Sequence, residues 1–424
     1  MKAWLGKMWQ AFVLCSLCLV LIGCTTAQAQ VVRSEEERVT DPDAPEDDLA
    51  QRVDGNNAFA FDLYRALRDG GSSEENLFYS PYSISVALAM TYAGARGITE
   101  EQMAEVLHFD LPQARLHPAL NALDLLLASR GQGTEDKRFQ LHLVNALWGQ
   151  TGYDFLPPFL DLLARNYGAG MRLLDFVRAP EASRTTINDW VSEETQNKIE
   201  ELLPADAIDS ATVLVLTNAI YFKAAWASPF DPQATREGTF YLLDGGEVNV
   251  PMMEQMSRFR YAEGDGVQAI ELPYAGDEMS MVILLPAEGQ FASFAGSLDA
   301  AWATTLLERL QPQQLQLTMP QFTFESGFQL KRALSAMGMP QPFTSAADFS
   351  GMDGSQTLFI GDVYHKAFVA VDEEGTEAAA ATAVTMRRSM ATAQVTVDRP
   401  FVFLIRDMES GAILFLGQVT DPSA

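Results

Sequence analysis

An α+β fold built around antiparallel sheets is what this sequence predicts, on three observations. Helical periodicity dominates the first third of the chain, while β-branched and apolar runs of strand length dominate after about residue 210. From Asn56 to Thr420 there is no linker-like stretch, no internal repeat and no low-complexity segment longer than the alanines near 380, so the pattern describes one large mixed domain. Apolar residues make up 48% and charged residues 20% of the 424 positions, which suits a water-soluble body with a large core.

The elements follow in order. Asn57–Asp69 carries Phe61, Tyr64 and Leu67 at helical spacing. Ser80-Pro81 reads as a helix start, with Ser as cap and Pro at the first helical position. The helix it opens, Tyr82–Ala95, is small or apolar nearly all round and is therefore expected in the middle of the protein. Thr99–Gln102 matches a capping box opening another helix. Pro158–Asn166, stopped at Gly168, and Thr185–Leu203 are two more. Strands follow at Thr212–Phe222 and in a hairpin over Gln268–Leu285 that turns at Ala275-Gly276-Asp277. Further strands are Leu315–Phe324, His365–Val371, Val395–Val397, Phe401–Ile405 and Ala412–Val419, the last two joined by a turn at Glu409-Ser410-Gly411.

Charge and cysteines narrow the possible functions. A net charge of −27 repels nucleic acid and anionic lipid, so binding through phosphate contacts is excluded as a partner class. All three cysteines, Cys15, Cys18 and Cys24, lie at the amino end, which leaves no internal disulfide framework and no thiolate metal site in the body. Lys2 and Lys7 precede an apolar run over Ala11–Gly23 that is shorter than the roughly 20 residues a membrane-spanning helix needs. Residues 1–23 thus read as an export signal. The run ends in Leu21-Ile22-Gly23-Cys24, which resembles a bacterial lipobox and implies cleavage before Cys24 and lipidation of that residue. The alternative is simple secretion with cleavage after Ala29. Residues 24–55, with Glu35-Glu36-Glu37 and Glu46-Asp47-Asp48, are expected to form a disordered acidic tether that holds a domain over 56–424 away from a membrane.

No catalytic constellation stands out. The four histidines, His108, His117, His142 and His365, form no H-E-x-x-H pair, and neither a G-x-S-x-G elbow nor a phosphate-binding G-x-x-x-x-G-K occurs. The unusual feature is Glu373–Met390. Alanine propensity makes its first half a helix. Read with period two instead, Thr376, Ala378, Ala380, Thr382, Val384 and Met386 form a small or apolar face that would suit a central strand. A segment that can be helix, loop or buried strand is suited to switching.

Residues 373–382 (Glu373-Glu374-Gly375-Thr376-Glu377-Ala378-Ala379-Ala380-Ala381-Thr382) closely resemble the hinge of inhibitory serpins, the serine protease inhibitors. Val395–Ile405 is similar to the serpin carboxy-terminal signature, and Asn76–Ile84, Thr217–Trp226 and His365-Lys366-Ala367 match in the right order. The resemblance implies a helical subdomain, three β-sheets and an exposed reactive loop above a metastable five-stranded sheet. It implies that a target serine protease cuts the loop, is held as a covalent acyl-enzyme and is dragged along as the loop inserts as a new strand. It further implies that Ser80, Ser83, Asn218 and His365 form the polar cluster under the opening sheet, and that Trp226 stands where the loop first enters. Glu373 and Gly375 through Thr382 would be the hinge. No cofactor or metal is implied, and a monomer is expected.

The bond that is cut stays open by one residue. Counting fifteen residues from Gly375 gives Ser389–Met390, which suits an elastase-like pocket. Chemistry favours Arg388–Ser389, because Arg fills the acidic pocket of trypsin-like enzymes. The competing functional reading is a non-inhibitory serpin that binds or stores, although bulky or charged hinge residues would be expected there and Thr376–Thr382 has only Glu377.

Overall fold

A computed structural model of the chain describes residues 29–130, 139–376 and 393–424. From the amino end these form β1 (Gln30–Val32), α1 (Glu46–Leu67), β2 (Leu77–Tyr79), α2 (Pro81–Tyr92), α3 (Gly97–Val106) and α4 (Gln113–Ala128). Next come β3 (Phe139–Gln150), α5 (Pro157–Tyr167), β4 (Met171–Leu174), α6 (Pro180–Glu194) and β5 (Leu214–Ala225). The middle holds β6 (Arg236–Tyr241), β7 (Glu247–Gly264), β8 (Val267–Pro273), β9 (Met279–Pro286), α7 (Phe291–Ser297) and α8 (Ala300–Glu308). The last third holds β10 (Gln311–Pro320), β11 (Phe322–Gln329), α9 (Lys331–Met337), α10 (Ser350–Asp353) and β12 (Val363–Val371). It closes with β13 (Gly375–Thr376), β14 (Ala393–Thr396), β15 (Phe401–Asp407) and β16 (Ile413–Val419).

The strands make two hydrogen-bonded sheets. One has the order β1-β4-β3-β5-β13-β12-β11; without the three residues of β1 and the two of β13, it is a five-stranded frame. The other runs β14-β10-β7-β8-β9-β15-β16-β2, with β6 on β7. Two of the three sheets that the resemblance implies therefore share β7, whose 18 residues pair with β6 at one end and β8 at the other. Helix α2 is buried along its whole length, as a helix without a polar face must be. Its Ser80 cap accepts from the Ser83 amide at 3.1 Å. The hairpin turns where expected, because Gly276 and Asp277 adopt positive φ.

Several boundaries differ from expectation. Helix α3 begins at Gly97 rather than with a capping box at Thr99, whose hydroxyl instead accepts from the Asp348 amide at 2.8 Å. Helix α6 ends at Glu194, well short of Leu203, because Gln196 and Asn197 turn into the left-handed region. The alternating run 315–324 is two strands: after Pro320 the chain leaves β7 and, beyond Gln321, joins β12.

The expected tether is corrected more deeply. Residues 29–55 are docked on the body, not a spacer. β1 pairs antiparallel with β4, Arg38 donates to Asn121 at 2.9 Å and to Asp124 at 2.6 Å, and the Val39 amide donates to the Arg165 carbonyl. Helix α1 starts ten residues ahead of the 56 boundary, with Glu46, Asp47 and Asp48 at its positive end, and buries Arg52 against the Leu107 and His108 carbonyls. Of the acids that looked like disorder, Glu46, Asp47 and Asp48 are helix-terminal, and Asp48 also pairs with Arg115. The signal segment and Cys24 lie outside the described residues.

Candidate functional site

The site is a gap between two central strands. β5 and β12 pair in parallel from Leu216–Ile220 to Val363–Ala367. Above that point they part, and β13 fills the gap: Gly375 pairs with Ala225, and Thr376 with Ala224 on one side and Val371 on the other. Only glycine fits the first of these places, since a Cβ on Gly375 would stand 2.1 Å from the Ala224 carbonyl oxygen. Thr376 is buried, and its hydroxyl shares a 2.8 Å hydrogen bond with the Tyr274 phenol. Burial pushes that phenol's pKa up, so it stays protonated. The Tyr274 ring stacks on Trp226 with centroids 4.8 Å apart and planes within 6°.

Trp226 holds the approach to the gap. Its amide donates to the Glu374 carbonyl at 2.8 Å and its indole Nε1 to the Asp372 carbonyl at 3.0 Å. The Asp372 carboxylate accepts from the Glu374 and Gly375 amides, which lower its pKa, but burial dominates and raises it. Glu373 is gripped from both sides: Thr235 donates its hydroxyl to the carboxylate, and Gln321 donates Nε2 at 2.6 Å. The turn before the gap is thus fixed by hydrogen bonds at every residue from Asp372 to Gly375.

A polar cluster lies lower, where β5 and β12 still touch. His365 Nε2 accepts from the Ser80 amide at 3.2 Å, which leaves the proton on Nδ1, and Nδ1 faces Asn218 Oδ1. Asn218 Nδ2 donates to Ser83 Oγ at 2.6 Å and to Asn145 Oδ1, while Ser83 Oγ donates to Asn145 Oδ1 at 3.1 Å. Burial holds the His365 pKa down at about 3, so the cluster is neutral. It ties α2 to β3, β5 and β12 at one point.

Of the sequence-predicted residues, the structure brings Ser80, Ser83, Asn218 and His365 into one network and sets Trp226, Glu373, Gly375 and Thr376 together at the mouth of the gap. Ala378, Ala379, Ala380, Ala381, Thr382, Arg388, Ser389 and Met390 lie outside the described residues. Sequence reasoning missed Asn145, Tyr274, Asp372, Thr235 and Gln321. For Asn145 a weak signal existed, an amide in the otherwise apolar run 143–148. Among the described residues no group of three or more His, Cys, Asp or Glu is placed to hold a metal ion.

Comparison with known proteins agrees with this geometry. Residues 54–422 match the family model of Serpin (serine protease inhibitor). A serpin-like protein of Thermococcus kodakarensis is 40% identical over 87% of this chain and 85% of its own. The leukocyte elastase inhibitor of Homo sapiens is 39% identical over 88% of this chain and all of its own. The native state of the thermophilic serpin Tengpin superposes with a TM-score of 0.81 at 26% identity, covering 93% of this chain and all of that one.

Proposed function

The chain belongs to the serpin family of serine protease inhibitors, and from that premise we propose that it is a suicide substrate whose bait is residues 373–390. A target's serine Oγ attacks the carbonyl carbon of Arg388 or Ser389. The bond to the next residue breaks, its nitrogen leaves with a proton, and an ester joins enzyme to inhibitor. The freed strand then enters the gap behind β13.

The single observation that supports this reading is β13 itself, a strand already started between β5 and β12. Its register, continued, would set Ala378 opposite Phe222, Thr382 between Asn218 and His365, and Met386 opposite Leu214. Ala378, Ala380, Thr382 and Val384 would share the buried face of Thr376. The five parallel pairs of β5 with β12 must open, and the polar cluster must re-form around Thr382. About ten newly paired residues at ~1 kcal/mol each would offset that with on the order of 10 kcal/mol. Thirteen residues from Thr376 to Arg388 extend over roughly 43 Å, and moving catalytic groups by even ~1 Å slows deacylation about a hundredfold.

Trypsin-like enzymes suit Arg388, and elastase- or subtilisin-like enzymes suit Ser389. The protein acts as a monomer, is exported, and is held at the cell envelope by a lipid on Cys24, or is secreted where that lipid is missing. The test is incubation with trypsin, subtilisin, elastase and chymotrypsin, followed by denaturing electrophoresis and sequencing of the released peptide. A denaturant-stable complex is expected, with a peptide starting at Ser389 or Met390. Cleavage by every protease without a complex would refute inhibition and support a binding or storage role. Thr376→Arg should abolish trapping but leave cleavage intact.

A further inference from the structure

The docked amino-terminal segment fixes which end of the domain faces a membrane. Gln30 pairs with Leu173, whose level in the sheet continues through Gly149 to Leu214, the first residue of β5. The hinge pairs at the other end of the same strand, at Ala224 and Ala225. Eleven steps of about 3.3 Å separate the two levels by roughly 36 Å. Because β1 runs antiparallel to β4, the chain before Gln30 leaves toward the pole beyond Leu174, away from the hinge.

That pole carries Thr151–Leu156 and Asp175–Ala179: the Thr151 amide donates to the Leu174 carbonyl at 2.9 Å, and the Val177 amide to Gln150 Oε1 at 3.1 Å. It also carries apolar side chains open to solvent, with Val177 51%, Val31 48% and Leu156 37% exposed. These are three of the six exposed large apolar residues among those described. Among the described residues no helix is long and apolar enough to cross a membrane. The five residue steps from Cys24 to Ala29 reach at most about 18 Å, so a lipid on Cys24 keeps this pole at the bilayer.

We propose that the pole formed by Val31, Leu156 and Val177 is the membrane-facing surface of the lipid-anchored protein, and that its occupant is the bilayer bearing the anchor. The inference rests on the lipidation of Cys24 proposed above. The hinge then lies at the pole far from the membrane, while insertion in the register of β13 would bring Met386 to the level of Leu214 and deliver the captured protease to the membrane side.

The test uses the full chain, processed and lipidated in a host, in phosphatidylcholine vesicles that carry an acceptor-labelled lipid. Once the signal segment is removed, Cys24 is the only native cysteine and is occupied by lipid. Donor dyes go on Arg178→Cys at the anchored pole and Gln233→Cys beside the hinge. Co-flotation with vesicles and several-fold stronger energy transfer from position 178 than from 233 are expected. Flotation with equal transfer, or with the order reversed, overturns the orientation and leaves the lipid reading standing. A chain that stays off the vesicles overturns both.

Discussion

Gly375→Ala is the most economical perturbation of the hinge. Elsewhere such a change stabilises or costs little, because it restricts the unfolded chain. Here the new methyl would meet the Ala224 oxygen at 2.1 Å and the Ala225 Cα at 2.6 Å, both backbone atoms that cannot rotate away. Ordinary contact begins at 3.4 Å, so β13 must retreat by about 1.3 Å. That retreat stretches the 2.8 Å bonds of Glu374 to the Trp226 amide and of Thr376 to Tyr274 beyond hydrogen-bonding range. At ~1 kcal/mol each, with part of the Thr376 burial added, the seated hinge loses about 2–3 kcal/mol, or roughly 30- to 150-fold in population. On the proposed mechanism insertion competes with deacylation, so the number of inhibitor molecules consumed per enzyme inactivated should rise from near one to tens. The rate of loop cleavage should not change. Titration of a fixed amount of trypsin or elastase, with cleaved and complexed inhibitor counted on denaturing gels, measures both. An unchanged stoichiometry would refute the reasoning, because it would mean that the seated hinge does not start insertion.

Acid should weaken the fold through two buried histidines. His117 and His365 are buried with pKa values near 3, whereas unfolded histidine titrates near 6.5. Below 6.5 the unfolded chain therefore binds more protons, and stability falls as pH falls: from pH 7 to 5.5 by about 2.5 kcal/mol for the pair. Urea midpoints at the two pH values check this, and His117→Gln should remove about half of the loss. Arg38→Ala removes the contacts to Asn121 and Asp124, worth ~1 kcal/mol at this half-exposed site, and should speed limited proteolysis within 29–45 about fivefold while the body stays whole. Asn145→Ala leaves Ser83 Oγ and Asn218 Nδ2 short of an acceptor and should cost about 2 kcal/mol by urea denaturation; a loss under ~0.5 kcal/mol would deny the cluster its structural weight.

What could be read from the chain, and what could not, divides along the range of the interaction. The Ser80 cap, the Gly276-Asp277 turn and the Gly168 stop are local chemistry, and each is where the sequence put it. The buried helix α2 was legible because a helix without a polar face has only one place to go. The exchange of sheets at Gln321 was not, since alternation reads the same whichever strand is the neighbour. Nor could composition reveal that Arg38 finds Asp124, or that Asp48 finds Arg115. At the site, the hinge reading comes from resemblance rather than from the residues alone, and local propensity pointed to a helix. The reason for its glycine is a carbonyl 151 residues earlier in the chain, visible only once β5 stands beside it.

On the proposed lipidation of Cys24, the docking of residues 29–45, through the three pairs of β1 on β4 and the bonds of Arg38 and Val39, would give the anchor two lengths, like a leash that can be shortened by a clip. Clipped, it would span five residue steps, about 18 Å, less than the roughly 40 Å diameter of a protease that the proposed insertion would bring to the same pole. Unclipped as far as Pro45, it spans 21 steps and about 70 Å, room enough for the captive enzyme to sit between inhibitor and bilayer. Capture at this pole would then strip β1 from β4 and Arg38 and Val39 from α4 and α5, and leave residues 29–45 open to the next protease that passes, so that each used inhibitor would be marked for release from the surface.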